Sequence, residues 1–391
     1  MNILHVIPDL SPASGGPVTA VWEMSEAQAQ LGHKVSIVST DIGYRSEDAS
    51  KNIEIKLFRS EFPQWRWSSQ LARGIEPLIK SSDIVHLHTV WDHPVLAAAA
   101  VCRKLGKPYI LRPCGMLDAW SLSQRAWKKK FYLFFNGKDL IKNPSAIHFT
   151  SSSESQNSKL PETAEKGFIA PLGVSEFFYK SFTDGSLVGK YPQLLGKQKI
   201  LFLSRLHYKK QPEVVIDAFK VLSEKHRDIF LIIAGDGDAV YVDNLKRKVS
   251  SLGIDKKVIF TGILNRESCR AAYAEASIFV LPSFQENFGL SVLEAMAAGC
   301  PVVVSHQVAL ASMIQKAEAG FTCDATADSL IAAVQRLLVD EGLRKRMGEN
   351  GRQLAQEEFS WEKSATALQA VYEDILAGHY RSSAWIRRKS Q

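Results

Sequence analysis

The chain has 391 residues, 46% of them hydrophobic and 23% charged, a composition typical of a water-soluble globular protein too long for one ordinary core. No apolar run is long enough to span a membrane, and five cysteines without C-x-x-C spacing argue against a disulfide framework or a zinc site. The cysteine pattern leads us to expect a cytoplasmic protein. The net charge of +7 is modest and no nucleic-acid recognition motif accompanies it, so we expect no binding to nucleic acid.

The first half of the chain alternates strand-like and helical stretches, which is the pattern of βα units around a parallel sheet. We expect the N-terminal stretch to be a first strand rather than a targeting segment, because His5 and Asp9 interrupt it and no basic leader precedes it. The strands predicted in this half are residues 2–7, 34–39, 84–88, 109–112 and 146–150.

A glycine loop follows the first predicted strand. Ser14, Gly15, Gly16 and Pro17 precede a helical run and would let a ligand approach the backbone closely. The loop does not have the G-x-G-x-x-G spacing, so a nicotinamide cofactor is poorly supported. On its own, Gly-Gly-Pro is more often only a turn.

Three histidines lie at or just after the end of the predicted strand 84–88. His86 and His88 share a strand face, because side chains alternate with a period of two. Such a pair can suggest a metal, but no third ligand at a convincing spacing joins it. We therefore expect no metal at this position.

The second half repeats the organisation of the first. Its predicted strands are residues 200–204, 230–234, 258–260, 277–282 and 301–305. The pattern breaks between about residues 175 and 199, so two Rossmann-like domains are expected. Ligands of such sheets bind outside the carboxyl ends of the strands, where the loops of two facing sheets would meet in a cleft.

Two cations follow the first strand of the second half. A guanidinium and an ammonium group at this position, on Arg205 and Lys210, suit a diphosphate. Asp236 and Asp238 could hold a divalent ion with substrate phosphates, but a glycine-rich turn is the simpler explanation. We therefore predict that no metal is required.

The most informative segment is residues 282–301, in which a strand, a loop and a helix follow one another. Glu286 and Glu294 stand on either side of the predicted helix start. The amides of Phe288, Gly289 and Leu290 are a seat for an anion at the helix N-terminus. Carboxylates accept hydrogen bonds from hydroxyl groups, so the segment predicts a clamp for a nucleotide sugar.

The order of strand, loop, Gly-Leu and Glu-Ala-Met-Ala-Ala-Gly in this segment resembles the retaining GT-B glycosyltransferases of family 4, also called glycosyl transferases group 1, whose E-x7-E motif has this form. The resemblance extends over nearly the whole chain. It implies an α/β GT-B fold with two Rossmann-like domains facing across a cleft and a C-terminal helix that crosses back to the first domain. The expected boundaries are an acceptor domain at 1–178, a linker at 179–198, a donor domain at 199–365 and a final helix with a basic tail at 366–391.

The resemblance also assigns expected roles at the donor. Glu294 would hold the ribose and Glu286 the hydroxyls of the donor sugar, while the amides at 288–290 would meet the sugar and phosphate. Arg205 and Lys210 would stabilise the departing diphosphate. These roles follow from the motifs at 205–210 and 286–294.

In the first half and beyond, the resemblance places Gly15 and Gly16 beside the donor phosphate and the acceptor. It maps a histidine that reaches the donor sugar to His88, with His93 as the second choice. Ile263 would lie where the family reads the nucleobase through backbone groups.

The sequence departs from the family in three places. Cys114 stands where close relatives often have a histidine, Leu172 replaces an asparagine, and Gln211 replaces a glycine after the Lys210 motif. We assign no catalytic role to Cys114. Glu154, near the second of these departures, is expected to shape the hinge side of the cleft.

The expected activity is transfer of a hexosyl unit, with retention, from a nucleoside diphosphate sugar to a saccharide or lipid-linked saccharide hydroxyl, in polysaccharide or glycolipid biosynthesis. UDP-glucose or a related UDP-hexose is favoured, and GDP-mannose is the alternative. An inverting enzyme would need a base such as His88 or His93. A sugar-nucleotide epimerase and a non-catalytic nucleotide-sugar sensor are the rival functions.

Three segments mix basic and aromatic side chains, at residues 62–67, 127–135 and 380–389. Such mixtures suit an anionic membrane surface, so a peripheral position on the inner face of the cytoplasmic membrane is a second hypothesis for location. Solvated helix faces with the rings turned inward explain each segment equally well.

Overall fold

The computed structural model describes residues 1–44, 52–124, 127, 129, 132, 137–158, 165–180 and 186–381. The chain forms two compact units. The first is Met1–Gly173 with the C-terminal segment that begins at Trp361, and the second is Val174–Ser360. The described part of the segment predicted as a linker, residues 179–198, lies entirely in the second unit.

The first unit is a parallel sheet with helices. Its strands carry largely buried side chains, because helices cover the sheet and leave little of it to solvent. In chain order the elements before the crossover to the second unit are β1 (Asn2–Val6), α1 (Gly16–Gln30), β2 (Lys34–Thr40), β3 (Ile53–Phe58), α2 (Ser69–Ser81), β4 (Ile84–His88), α3 (His93–Leu105), β5 (Tyr109–Arg112), α4 (Ala119–Ser123), α5 (Lys138–Lys142), β6 (Ala146–Phe149), α6 (Ser152–Asn157) and β7 (Gly167–Ile169).

The seven strands of the first sheet run in the order β3-β2-β1-β4-β5-β6-β7. The order reverses between β1 and β4, which pair in parallel with His5 opposite His86. A reversal of this kind leaves a crevice at the carboxyl ends of the two strands. The loops after β1 and β4 are therefore the expected ligand-binding edge of this unit.

The second unit has the same plan. Its elements are α7 (Ser186–Lys190), β8 (Gln198–Leu203), α8 (Pro212–Lys225), β9 (Ile229–Ala234), α9 (Ala239–Ser251), β10 (Val258–Gly262), α10 (Arg266–Glu275), β11 (Ile278–Leu281), α11 (Leu290–Ala297), β12 (Val302–Ser305), α12 (Ala311–Lys316), β13 (Gly320–Cys323), α13 (Ala327–Val339) and α14 (Glu341–Glu358). The six strands run β10-β9-β8-β11-β12-β13, so the order reverses between β8 and β11.

Helix α15 (Trp361–Leu376) returns the chain to the first unit. It packs on α1, and its buried face includes Leu368, Val371 and Tyr372. At the return point Trp361 lies against Gly173, where a side chain on residue 173 would overlap the Trp361 backbone. A glycine is therefore required there for the last helix to start.

The ten strands predicted from the sequence are confirmed, with ends that shift by at most two residues. Three strands were not predicted: the six-residue β3 and the shorter β7 and β13. Among the described residues, no helix is both long and apolar enough to cross a membrane.

Candidate functional site

In the second unit, the predicted cations and Glu286 lie on the two loops at the sheet reversal. Arg205 and Lys210 follow β8, and Glu286 follows β11, the neighbouring parallel strand. Because the carboxyl ends of parallel strands meet at one sheet edge, sequence positions 76 residues apart come together.

Lys210 and Glu286 form an ion pair between Nζ and Oε2. Their side chains are 14% and 15% exposed, so the pair is shielded from solvent and screened less than a surface pair. The backbone of Glu286 is also held, because its N–H donates to Gln307 O at 3.2 Å and its carbonyl accepts from Ala309 N at 3.2 Å. The sequence suggested separate partners for these two groups, whereas the structure couples them.

Arg205 is exposed and, in the described part of the chain, pairs with no acidic side chain. The pKa of the nearby His207 is lowered, mainly by burial and to a smaller extent by the positive charges of Arg205, Lys209 and Lys210. A neutral His207 beside three cations leaves this loop strongly positive. Such a loop can attract a diphosphate.

Gln211 closes this loop in a left-handed conformation, with φ 57°. The glycine expected there from the family pattern would adopt this conformation without strain. Gln211 compensates in part, since its Nε2 donates to Tyr208 O at 2.7 Å.

Helix α11 begins between the two acids, as predicted. Gly289 is its N-cap with φ 95°, and a Cβ there would lie 3.3 Å from Glu286 Cγ. Phe288 is only 4% exposed and packs on Phe359, so its backbone rather than its ring is available to a ligand. The start of α11, including the Leu290 amide, therefore has the geometry of an anion seat.

Glu294 lies one turn into α11 and accepts a hydrogen bond from Tyr273 Oη at 2.8 Å. Tyr273 is fully buried on α10, and burial followed by the Glu294 charge raises its pKa well above the usual range. The phenol stays protonated and fixes the carboxylate. No sequence pattern linked Tyr273 to Glu294.

The turn after β9 holds Asp236 and Asp238 in structural roles. Asp236 Oδ1 accepts from Gly237 N at 2.8 Å, and Asp238 Oδ1 caps α9 through Tyr241 N at 3.2 Å. Side chains on Gly235 or Gly237 would overlap the carbonyls of Ser204 and Leu206, which flank Arg205. These contacts favour the glycine-turn interpretation over a metal site.

Ile263 directly follows β10 and is 57% exposed. Gly262 before it has φ 71°, which turns the chain at the same carboxyl edge of the sheet as the Arg205 loop. The backbone at this point is therefore accessible to a ligand.

In the first unit, the glycine loop lies at the reversal between β1 and β4. Gly15 is the N-cap of α1 with φ 70°, and a Cβ there would meet no atom within 4 Å. Glycine is needed at 15 for its backbone angle, and the space beside it remains open. Gly16 is the first residue of α1, and Arg112 Nη2 donates to the next carbonyl, Pro17 O, at 3.3 Å.

His88 belongs to a larger buried cluster than the sequence suggested. His5, on β1, lies beside His86 and His88, and ring nitrogens of the three are within 4.8 Å of one another. The expectation that no third histidine joins the pair is therefore wrong, because β1 and β4 are adjacent although 83 residues separate His5 from His88. The only signal was a histidine inside an otherwise apolar strand.

Hydrogen bonds already occupy both ring nitrogens of His5 and of His86. His5 bonds to His88 at 2.8 Å and to Gln28 at 2.7 Å, and His86 bonds to Tyr372 at 2.7 Å and to His148 at 3.4 Å. A metal ligand needs an available lone pair aimed at the ion. The cluster is better suited to holding neutral histidines than to binding a metal.

The loops beside His88 have unusual backbone angles. Thr89, Cys114 and Arg66 have φ of 75°, 55° and 46°, which residues with a Cβ rarely adopt. Thr89 N is held by Arg112 O at 2.9 Å, and Cys114 Sγ accepts from Arg112 Nε at 3.2 Å. Strained positions of this kind cluster at functional sites.

A partly buried ion-pair network stabilises the same edge. Asp9 pairs with Arg66 at 2.9 Å, and Arg66 reaches Asp92 at 3.3 Å. Asp9 also accepts from Ser14 Oγ at 2.6 Å, which ties down the glycine loop. Desolvation raises the pKa of Asp92, and Arg66 opposes that shift.

His93, the second choice for donor contact, has a structural partner. Its Nδ1 accepts from Ser68 N at 3.3 Å, and its ring lies 4.0 Å from that of Trp67. Burial lowers its pKa.

Glu154 also has a structural role. Its carboxylate accepts hydrogen bonds from Gly115 N and Thr150 N and thereby connects the loops after β5 and β6.

Two family models match the chain. The model described as Glycosyl transferases group 1 matches residues 189–354, and the Glycosyl transferase 4-like domain matches residues 15–158. The first match contains every predicted site residue of the second unit. The second contains Gly15, Gly16 and His88.

Relatives with similar sequences extend over nearly the whole chain. An uncharacterised glycosyltransferase of Methanocaldococcus jannaschii is 36% identical over 381 residues, which are 92% of this chain and 94% of that protein. Mannosylfructose-phosphate synthase of Agrobacterium fabrum is 32% identical over 403 residues, with 94% and 88% covered. Among solved structures, Anabaena HepE in complex with UDP-glucose has a TM-score of 0.80 at 16% identity, with 96% and 100% covered.

Proposed function

This chain belongs to the group 1 glycosyl transferases and has the GT-B fold, and we propose that it moves a hexosyl unit, with retention, from a nucleoside diphosphate sugar to a hydroxyl of a saccharide or lipid-linked saccharide. The observation that carries the proposal is the shielded Lys210–Glu286 pair beside the start of α11. It joins a phosphate-binding cation, a hydroxyl acceptor and a helix N-terminus at one sheet edge.

Different residues of the second unit would bind different groups of the donor. Glu294, fixed by Tyr273, would accept from the ribose hydroxyls, and the first amides of α11 would meet the phosphate. Glu286 would accept from the sugar hydroxyls. Arg205 and Lys210 would meet the charge that develops on the departing diphosphate, where a positioned cation contributes most in the transition state.

Retention is supported by the lowered pKa values of His88 and His93, the two histidines considered as the base of an inverting enzyme. An inverting enzyme would need a general base whose pKa lies near the working pH. Burial, followed by charge repulsion from His86 and Arg112, lowers the pKa of His88 well below its usual value, and burial lowers that of His93. Proton NMR of the anomeric product tests this assignment, because an inverted product would contradict it.

The donor that we favour is UDP-glucose or a related UDP-hexose, since HepE shares the fold and was solved with UDP-glucose. GDP-mannose is the alternative, supported by the similarity to mannosylfructose-phosphate synthase. The test is a set of UDP- and GDP-sugars assayed for free UDP or GDP with and without saccharide acceptors. Release without any acceptor, accompanied by sugar isomerisation, would instead support an epimerase, and binding without turnover would support a sensor.

We propose that no metal ion is required, because Arg205 and Lys210 supply the positive charge that a metal would bring to a diphosphate. Turnover that is unchanged by EDTA is the expected result. Loss of turnover in EDTA with recovery in magnesium would contradict it.

A peripheral position on an anionic membrane surface is part of the proposal and rests on exposed aromatic rings. Phe62 and Trp65 are 66% and 62% exposed on one loop, and Trp127 is 72% exposed. The other members of the second and third basic-aromatic segments lie mostly outside the described residues. Co-sedimentation with anionic vesicles at moderate salt tests the idea, and an unbound protein would refute it.

A further inference from the structure

The buried histidines of the first unit belong to one continuous chain of hydrogen bonds. It runs from the carbonyl of Ala170 to His88 and connects α1, α15 and three strands of the sheet. The side chains in it are at most 1% exposed. In order they are His148, His86, Tyr372, Gln28, His5 and His88.

One end of this chain fixes its direction. The Ala170 carbonyl can only accept, so His148 must carry its proton on Nε2, which lies 2.8 Å away. In a neutral ring the other nitrogen, Nδ1, is then an acceptor. It lies 3.4 Å from His86 Nε2, which must therefore be the donor and carry the proton of that ring.

The same reasoning fixes the hydrogen-bond direction at Tyr372 on α15 and at Gln28 on α1. His86 Nδ1 accepts from Tyr372 Oη at 2.7 Å, and Tyr372 Oη accepts from Gln28 Nε2 at 3.1 Å. The Gln28 amide is thereby oriented, with Oε1 accepting from His5 Nε2 at 2.7 Å. His5 Nδ1 then accepts from His88 Nε2 at 2.8 Å.

The far end of the chain is an unsatisfied acceptor. With its proton on Nε2, His88 has a lone pair on Nδ1, and this atom has no hydrogen-bond partner in the described part of the chain. Arg112 Nη1 is also buried and unpaired within those residues, and Arg112 is the register partner of His88 on β5. A buried acceptor and a buried donor without partners in the described residues, on paired positions of adjacent strands, require an explanation.

The rings stay neutral, which the argument requires. Burial, opposed by the hydrogen bond to Gln28, lowers the pKa of His5 to about 4. Burial and the Arg112 charge lower that of His148 to about 3. A reversed chain would place a lone pair of His148 against the Ala170 carbonyl, so one direction is favoured.

We propose that this chain of hydrogen bonds positions His88. It holds the ring in the Nε2–H tautomer, so that Nδ1 is a neutral hydrogen-bond acceptor for a hydroxyl of the sugar substrate. Gln28 and Tyr372 are then positioning residues on helices α1 and α15. The inference rests on the proposed function for the identity of the hydroxyl, and on the hydrogen-bond geometry of neutral rings for the tautomer.

The test is nitrogen-15 NMR of the histidine rings in the full-length protein near neutral pH, in wild type and in Tyr372→Phe. The wild type is expected to show His5, His86, His88 and His148 as neutral Nε2–H tautomers. Tyr372→Phe removes the acceptor that orients Gln28, so the His5 and His88 signals should move towards a mixture of tautomers. A charged or Nδ1–H His88 in wild type, or unchanged His88 signals in the variant, would overturn the proposal.

The matched control is Tyr109→Phe, since Tyr109 is also buried in the first unit and donates to the Leu140 carbonyl at 3.2 Å. It should leave the histidine signals unchanged. In donor kinetics Tyr372→Phe should lower kcat/KM roughly tenfold, the scale of one misplaced hydrogen bond, and Tyr109→Phe should not. If the histidines show the expected tautomers but the protein has no transferase activity, the proposed function is wrong and the hydrogen-bond chain is still supported. If both variants lose the same kinetic activity, the contact of His88 with a substrate hydroxyl is contradicted.

Discussion

Mild acid should unfold the first unit before the second, because four histidines are buried there in neutral form. The perturbation is a change from pH 7.5 to pH 5.5. Burial lowers the pKa of His5 to about 4 and that of His148 to about 3, and it lowers those of His86 and His88 well below 6.5. An unfolded chain would protonate all four rings in this range, whereas the folded chain keeps them neutral.

The sign follows from proton binding. Between pH 6.5 and about pH 4 the unfolded state holds more protons than the folded state, so stability falls as the pH falls. At pH 5.5 one such ring costs about 1.4 kcal/mol, and four cost about 5 to 6 kcal/mol. A typical domain has about 5 to 15 kcal/mol in total, so the loss is a large part of the stability of the unit.

Hydrogen exchange with mass spectrometry is a suitable assay because it reports each unit separately. Amides of β1 and β4 should lose protection between pH 7.5 and pH 5.5, after correction for the intrinsic exchange rate, while those of β8 and β11 keep theirs. The second unit is the internal control, since its one histidine with a lowered pKa, His207, is partly exposed. Ordinary carboxylates remain ionised in both states above pH 5.5 and contribute little. Equal protection of the first sheet at the two pH values, or earlier opening of the second, would refute the reasoning.

Three further predictions concern the second unit. Gln211→Gly should raise the free energy of unfolding by about 0.5 to 1 kcal/mol, because it relieves the left-handed backbone, and an unchanged urea midpoint would contradict this. Glu294→Gln should mainly weaken donor binding, whereas Glu286→Gln should also lower kcat, and equal effects would merge their roles. Arg205→Ala should lower turnover more than donor affinity, while Lys197→Ala, which breaks the exposed pair at the other end of β8, serves as the control and should change neither.

Most of the fold could be predicted because strand and helix periodicity is local. Predicted strands such as residues 230–234 are runs of apolar residues that need no tertiary information. β3 was missed although Ile53, Ile55 and Leu57 alternate, and β7 and β13 are too short to stand out. Very short strands depend on a neighbouring strand more than on their own sequence.

The parts of the site formed by residues adjacent in sequence could be predicted. The contacts between residues on different helices and strands could not. The helix start at Gly289 follows from residues adjacent in sequence. The bonds of Glu294 to Tyr273 and of His5 to His88 connect residues on different elements, and only strand order and helix packing bring them together. The Lys210–Glu286 pair is intermediate, since both loops were located by sequence but their contact was not.

The edge that carries His88 has a cost in stability that packing alone does not explain. Thr89 is β-branched and has φ 75°, which costs on the order of 1 to 3 kcal/mol. Leaving buried acceptors and donors such as His88 Nδ1 and Arg112 Nη1 without partners costs a similar amount for each group. A stable scaffold would have lost these features through simple substitutions such as glycine at 89. Their presence together, at the reversal of the first sheet, indicates that the geometry of this edge matters more than its stability, as expected where a substrate completes the hydrogen bonds.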